Sequence, residues 1–206
     1  MSKPLFRLYL ITDRNQTGGR LLTDVVKEAL DGGVKAVQLR EKDLPIRELL
    51  RLAEEMRKIT KEAGALLFIN GRIDVTMAVE ADGIHLGQTD LPVDIVRKIV
   101  GNRFMIGVST HNLIEAKEAE KEGADFITFG PVYETPSKLK YGKPVGIEAL
   151  KRAKSGASIP IYAIGGIKSG NIEAILTSGA DGVALISAII GAREPKKAAE
   201  KIIRSI

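Results

Sequence analysis

Eight short apolar runs, amphipathic segments between them and a small-residue junction that recurs before several of the runs predict a closed α/β barrel of the (βα)8, or TIM, class for this 206-residue chain. The runs fall at 8–12, 36–39, 66–69, 83–86, 105–108, 126–129, 161–164 and 182–185. Each is apolar on both faces, which suits a parallel strand covered outside by helices and inside by barrel side chains. The clearest helix spans 45–63, where Ile46, Leu49, Leu50, Ala53, Met56 and Ile59 share one face and Arg and Lys take the other. Further helices are expected to begin near Thr23, Ile73, Pro92, Asn112, Gly146, Ser169 and Pro195. The segments 80–83, 122–125 and 178–181 each close a helix just before a strand, and Gly32-Gly33 does the same earlier. Such a stop at a small residue is the short αβ loop of a repeated βα unit. The rival is an open doubly wound sheet, which would rarely need eight parallel strands in so short a chain. No linker or low-complexity tract interrupts residues 1–206, so one domain is expected.

Composition narrows the function. There is no cysteine, which removes disulfides, thiolate metal sites and cysteine nucleophiles. The net charge of +5 comes with no Trp, 4% aromatics and lysines interspersed with Glu, a poor match to the basic stripe and stacking rings of a nucleic-acid surface. The apolar stretch 182–192 is about half the roughly 20 residues a membrane span needs. The amino terminus lacks the ordered parts of a secretory signal, so a cytoplasmic protein is expected.

In a barrel of this kind, chemistry belongs at the carboxyl ends of the strands. Those ends carry Asp13 and Arg14, the run Gln38 to Asp43, Asn70, His85 with Gln88 and Asp90, Ser109 to His111, the stretch from Tyr133 to Lys138, Gly165-Gly166 and Ser187. Arg40 and Lys42 stand two apart, so in an extended chain both point to one side. Joined by Lys138, they would clamp a diphosphate; alternatively Arg40 pairs with Glu41 or another acid at the mouth and Lys138 is only part of a mobile, charged loop. Gly165 and Gly166 let backbone N–H groups approach an anion, and Ile186 and Ser187 open a short helix after the eighth strand. Together these two loops form a phosphate site where barrels commonly keep one. Asp90 and Asp43 each stand just before a Leu-Pro pair, which favours a helix cap, although Asp90 facing a bound diphosphate also suits magnesium. His85 and His111 read equally as structural groups or as acids and bases, and no metal-type histidine pair exists.

Residues 10–14, 38–43, 81–90, 107–111, 129–133, 163–167 and 180–182, taken in order, resemble the thiamine phosphate synthase family, which includes the TenI-like thiazole tautomerases. The resemblance covers nearly the whole chain. It implies a commonly homodimeric (βα)8 barrel in which a hydroxymethylpyrimidine diphosphate loses pyrophosphate, with magnesium, and the nitrogen of a thiazole phosphate takes up the pyrimidine methylene. It further implies that Gln38, Arg40, Lys42, Asn70 and Lys138 bind the pyrimidine diphosphate, that Asp90 binds Mg2+ and that Ser109 touches the pyrophosphate. Thr135 and Ser137 would lie near the thiazole phosphate, cradled by Gly166, Ile186 and Ser187. One departure stands out. Synthases usually read Asn-Asp after the third strand, the Asp being a second magnesium ligand, where this chain has Asn70-Gly71-Arg72. TenI-like proteins can show that form and isomerise a thiazole carboxylate phosphate with a histidine matching His111; Glu134 leans the same way. Lys42 and the full 85–90 motif lean toward the synthase. The readings are therefore synthase first, tautomerase second and a non-catalytic, regulatory thiazole-phosphate binder third.

Overall fold

The computed structural model describes residues 6–135 and 143–206. Its strands are β1 (Leu8–Ile11), β2 (Ala36–Leu39), β3 (Leu66–Asn70), β4 (Gly83–Leu86), β5 (Met105–Thr110), β6 (Phe126–Phe129), β7 (Ile161–Ile164) and β8 (Gly182–Leu185). Every neighbour pairs in parallel, and β8 returns to β1 with Leu8 opposite Val183, so the cylinder is closed and the open sheet is excluded. The helices are α1 (Leu22–Asp31), α2 (Ile46–Glu62), α3 (Ile73–Ala78), α4 (Val93–Val100), α5 (Leu113–Lys121), α6 (Gly146–Gly156), α7 (Ile172–Thr177), α8 (Ser187–Ile190) and α9 (Pro195–Ile203). Sequence boundaries differ by a few residues. Strand β1 stops at Ile11, Asn70 and Ser109 belong to their strands, and α7 opens at Ile172 because Asn171 spends its side chain on Lys168 N–H and the Gly166 carbonyl.

The two-residue period of the strands sorts side chains into two cores. Outward residues such as Leu10, Val37, Leu67, Ile84, Ile106 and Val183 meet the buried faces of the helices. In α2 those are Leu49, Ala53, Met56 and Ile59, and a fully buried side chain of this kind contributes roughly 1.5–3 kcal/mol. Inward residues build a second, aromatic core of Phe6, Tyr9, Phe68, Phe126 and Tyr162. Phe6 stacks on Tyr162 with centroids 4.5 Å apart, and Phe126 meets Tyr9 and Phe68 edge on. The barrel is thus filled, not hollow, below the rim. Above this layer the same inward phase brings up Gln38, Asn70, His85 and Ser109.

The recurring junctions have a physical job at the opposite, amino-terminal mouth. Asp82 accepts from Leu67 N–H at 2.8 Å and pairs with Arg57 of α2 at 2.7 Å. Asp125 does the same with Ile106 N–H at 2.7 Å and Arg97 of α4 at 2.6 Å. Asp181 repeats it with Ile161 N–H at 2.8 Å and Lys154 of α6 at 2.6 Å. Each carboxylate satisfies a strand N–H near its start and ties in the preceding helix. The Gly32-Gly33 junction has no such Asp; there Lys35 Nζ donates to the Ala63 carbonyl at 2.9 Å.

Candidate active site

The candidate residues within the described part of the chain lie at, just before or just after the carboxyl ends of strands in one closed barrel, so they gather at one mouth. Ser137 and Lys138 lie outside the described residues. Thr135 follows β6 and is half-buried.

On the β2–β4 side an open hollow of about 210 Å³ is lined by Leu39, Glu41, Lys42, Leu44, Leu49, Asn70, Gly71, Arg72 and Asp90. It gathers Asn70 from the end of β3 with Lys42 and Asp90 from the loops after β2 and β4. The pairing of Arg40 with Glu41, one alternative read from the sequence, is not found. Glu41, at 5% exposure, accepts from Thr12 Oγ1 at 2.6 Å, from Arg14 N–H through both oxygens, and from the Arg14 guanidinium at 3.3 Å. Arg14 also holds Asp43 in a two-bonded pair at 2.6 and 2.7 Å, and that hydrogen bonding keeps the Asp43 carboxyl below the usual carboxylate range. Arg72 is likewise matched by Asp74. These pairs leave Arg40 and Lys42 with no carboxylate partner among the described residues, so their charge is available to an anion. They part company in direction. Arg40 keeps the inward phase of Gln38 and bears electrostatically on His85, whereas the chain turns at Lys42, which lines the hollow.

The capping role expected of Asp90 and Asp43 is corrected. Pro45 and Pro92 occupy the N-cap positions of α2 and α4 with no side-chain cap bond, and each aspartate lies two residues before its proline. Asp90 Oδ2 instead accepts from Gly87 N–H at 2.7 Å, closing its own loop, and its carboxylate faces Gly71. Oδ1 has no hydrogen-bond partner among the described residues. No group of three or more His, Asp or Glu that would hold a metal by itself occurs among those residues. A carboxylate with a spare oxygen beside Lys42 and Asn70 fits magnesium only in its usual manner, with substrate phosphate oxygens and water completing the shell.

The β6–β8 side is built from backbone. Gly165 and Gly166 have φ of +95° and +65°, and a Cβ would stand 2.5 Å from Pro131 Cβ at the first and 2.6 Å from the Glu134 carbonyl at the second. Only glycine allows this fold-back. No carbonyl accepts the N–H of Gly166 or of Ser187 among the described residues, and Ile186 and Ser187 lead into α8, whose first turn presents free N–H groups.

Two further groups sit between these sides. His85 is buried and its Nε2 lies 3.0 Å from Ser109 Oγ; burial, aided by Arg40, pushes its pKa down to about 3. His111 is exposed, and Glu115 Oε2 takes both its Nδ1 at 2.9 Å and its backbone N–H at 2.8 Å. Glu115 in turn bonds Asn112, the cap of α5, so the ring is oriented with Nε2 left open. Sequence reasoning missed Thr12 and Tyr9 as parts of the site; it placed Glu41 at the mouth but offered it to Arg40, whereas Thr12 and Arg14 hold it.

This mouth, a cationic hollow facing a glycine-built anion cradle, can be set against known proteins. The family model described as thiamine monophosphate synthase matches residues 8–189. The chain belongs to that family. A thiamine-phosphate synthase of Moorella thermoacetica is 43% identical, covering 97% of this chain and 95% of its own length. The Pyrococcus horikoshii thiamine-phosphate synthase is 44% identical over 99% of this chain and 96% of its own. The solved thiamine phosphate pyrophosphorylase of Pyrococcus furiosus superposes with a TM-score of 0.89 at 39% identity, covering 97% of this chain and 95% of its own. These relatives carry the name of a transferase, which places the synthase ahead of the tautomerase for this member.

Proposed function

We propose that this chain joins a hydroxymethylpyrimidine diphosphate to a thiazole phosphate, releasing pyrophosphate and forming thiamine phosphate. The observation that carries the reading is Lys42 gathered with Asp90 and its spare carboxylate oxygen in one hollow, with Arg40 a second unmatched cation just after β2 and the free N–H groups of Gly166 and Ser187 on the far side of the same mouth. The carbon–oxygen bond between the pyrimidine methylene and the diphosphate breaks with its electrons on the leaving group. The thiazole nitrogen then supplies the pair for the new carbon–nitrogen bond.

Charge grows on the departing diphosphate, so Arg40 and Lys42 stabilise the transition state more than the ground state. Gln38 and Asn70 orient the pyrimidine diphosphate from inward strand positions, Ser109 offers a hydroxyl to the pyrophosphate, and Lys138 adds a further cation. The backbone of Gly165, Gly166, Ile186 and Ser187, with Thr135 and Ser137, fixes the thiazole phosphate. Magnesium held by Asp90 would supply charge neutralisation on the leaving group. No protein nucleophile is needed. The same reading takes the protein to work in the cytoplasm as a homodimer.

The test is a coupled assay with both substrates over a range of magnesium concentrations. Thiamine phosphate should form, and Lys42→Ala should cut turnover with little change in thermal stability, since Lys42 is exposed. Absence of product at every magnesium concentration, together with a metal-independent thiazole isomerisation that His111→Ala abolishes, would replace this reading with the tautomerase.

A further inference from the structure

Four side chains form a continuous line through the barrel just below the rim. Gln38 Nε2 donates to the Tyr9 hydroxyl at 3.2 Å, that hydroxyl lies 3.5 Å from His85 Nδ1, and His85 Nε2 lies 3.0 Å from Ser109 Oγ. Tyr9, Gln38 and His85 are at most 1% exposed, so water does not complete their bonding. The last member, Ser109, is half-buried and reaches the mouth.

Donors and acceptors give the line a direction. An amide nitrogen only donates, so the Tyr9 oxygen accepts from Gln38 and must send its own proton elsewhere. His85 Nδ1 is the acceptor toward which it can go. Burial raises the Tyr9 phenol well above its ordinary range, which keeps that proton in place. A neutral imidazole that accepts at Nδ1 carries its proton on Nε2, and Nε2–H then donates to Ser109 Oγ. Ser109 is held on its other side too, because Gln88 Nε2 donates to its carbonyl at 2.6 Å. Its oxygen being engaged by His85, the hydroxyl proton of Ser109 is left to point at something else, and nothing among the described residues takes it. The ring has little room to turn: a Cβ on Gly107 would stand 2.7 Å from Nδ1, and the Tyr9 and Phe126 rings flank it with centroids 5.7 and 5.9 Å away.

We propose that Tyr9 and His85 are positioning residues that lock the Nε2–H tautomer of His85, so that Ser109 presents a hydrogen-bond donor, and never a bare lone pair, to the anion leaving at the mouth. With the opposite tautomer Ser109 would spend its proton on Nε2 and offer the departing pyrophosphate only repulsive lone pairs. The identity of the anion rests on the synthase reading; the tautomer does not.

The experiment is long-range 1H–15N correlation of the imidazoles in 15N-labelled wild-type protein, where two histidines give an uncrowded spectrum and His111→Gln assigns the second. The expected result is a proton on Nε2 of His85 and an unprotonated Nδ1, unchanged from pH 6 to 9. Tyr9→Phe should mix the two tautomers and lower kcat by about 10- to 100-fold while KM moves little, the size expected for a charge-assisted hydrogen bond made in the transition state. A proton on Nδ1 in active wild-type protein would overturn the proposal and leave the synthase reading standing. So would Tyr9→Phe with native tautomer and native kcat. Inactive wild-type protein showing the Nε2–H tautomer would overturn the synthase reading, and with it the role given to the Ser109 proton, while the hydrogen-bond line itself survived.

Discussion

A Cβ on Gly71 would stand 3.0 Å from Asp90 Oδ1 and 3.1 Å from Oδ2. The bare backbone after β3 is therefore what lets the Asp90 carboxylate lie against that loop, and it sits where the resemblance read from the sequence leads one to expect a second acid. Restoring the acid has two costs. Position 71 has φ of +66°, a conformation that strains a residue with a side chain by about 1 kcal/mol, and the new carboxylate would face a like charge. A divalent cation between the two would reverse the second cost. Gly71→Asp should unfold about 3–8 °C below the native protein in chelator and recover much of that with magnesium, whereas the native protein responds less. Thermal unfolding with and without magnesium decides it; equal responses would mean that a side chain at 71 does not reach the cation.

Asp90→Asn separates charge from geometry at the same place. The amide oxygen can still accept from Gly87 N–H, so the loop should hold and the melting temperature should stay within about 2 °C of native. On the proposed reading the lost negative charge would remove the hold on magnesium, and turnover should fall by about 100-fold or more. Unchanged turnover with an unchanged magnesium requirement would place the metal elsewhere.

The barrel was legible because its signals are local and repeated: apolar runs, amphipathic helices and junctions that recur unit by unit. Much of the mouth was legible for a related reason, since strand ends can be read once strands are placed, and Lys42, Asn70 and Asp90 do meet in one hollow. What could not be read was partnership across strands. Arg40 looked as ready to pair with Glu41 as to face a ligand, and only closure of the cylinder shows that Thr12 and Arg14 reach Glu41 first. The aspartates before the two Leu-Pro pairs looked like caps for the same reason, as capping is a local rule and the loop bond of Asp90 and the Arg14 pairing of Asp43 override it. The line from Gln38 to Ser109 joins residues as much as 76 positions apart, a relation that spacing alone does not encode.

Gly107 tests how tightly the interior beneath the site is packed. A Cβ there would stand 2.3 Å from Phe126 Cζ as well as 2.7 Å from His85 Nδ1, and both rings are buried with little space to retreat. Gly107→Ala should cost about 1–3 kcal/mol of stability, and it should disturb turnover as well because the His85 ring must shift. Chemical denaturation with the coupled assay checks both. A variant of native stability would show that this layer yields more easily than its contacts imply.

The opposite mouth should behave in the contrary way. Asp181→Ala removes the acceptor for Ile161 N–H and the partner of Lys154 near the start of β7. Leaving that strand donor without its bond should cost about 1–3 kcal/mol, yet the change lies at the amino-terminal end of the barrel, so kcat and KM should remain near native. A large fall in kcat at full folding would indicate coupling through the length of the barrel.

His85 also makes stability depend on pH with a definite sign. In the unfolded chain its ring titrates near about 6.5, while in the folded barrel burial, with Arg40 adding to it, pushes the pKa down to about 3. Between those values the unfolded chain holds a proton that the folded one refuses, so acid favours unfolding. The contribution is complete above about pH 6.5, declines as pH falls by at most about 1.4 kcal/mol per unit, and is gone once pH has passed through about 3. The carboxylates Asp43 and Asp74 are held below their usual range by Arg14 and Arg72, so their ion pairs weaken only further into acid. Unfolding free energy measured between pH 7 and 5 should therefore fall in the native protein and in His111→Gln alike, but stay nearly flat in His85→Gln. A flat profile in the native protein would mean that the ring at position 85 accepts a proton inside the folded barrel.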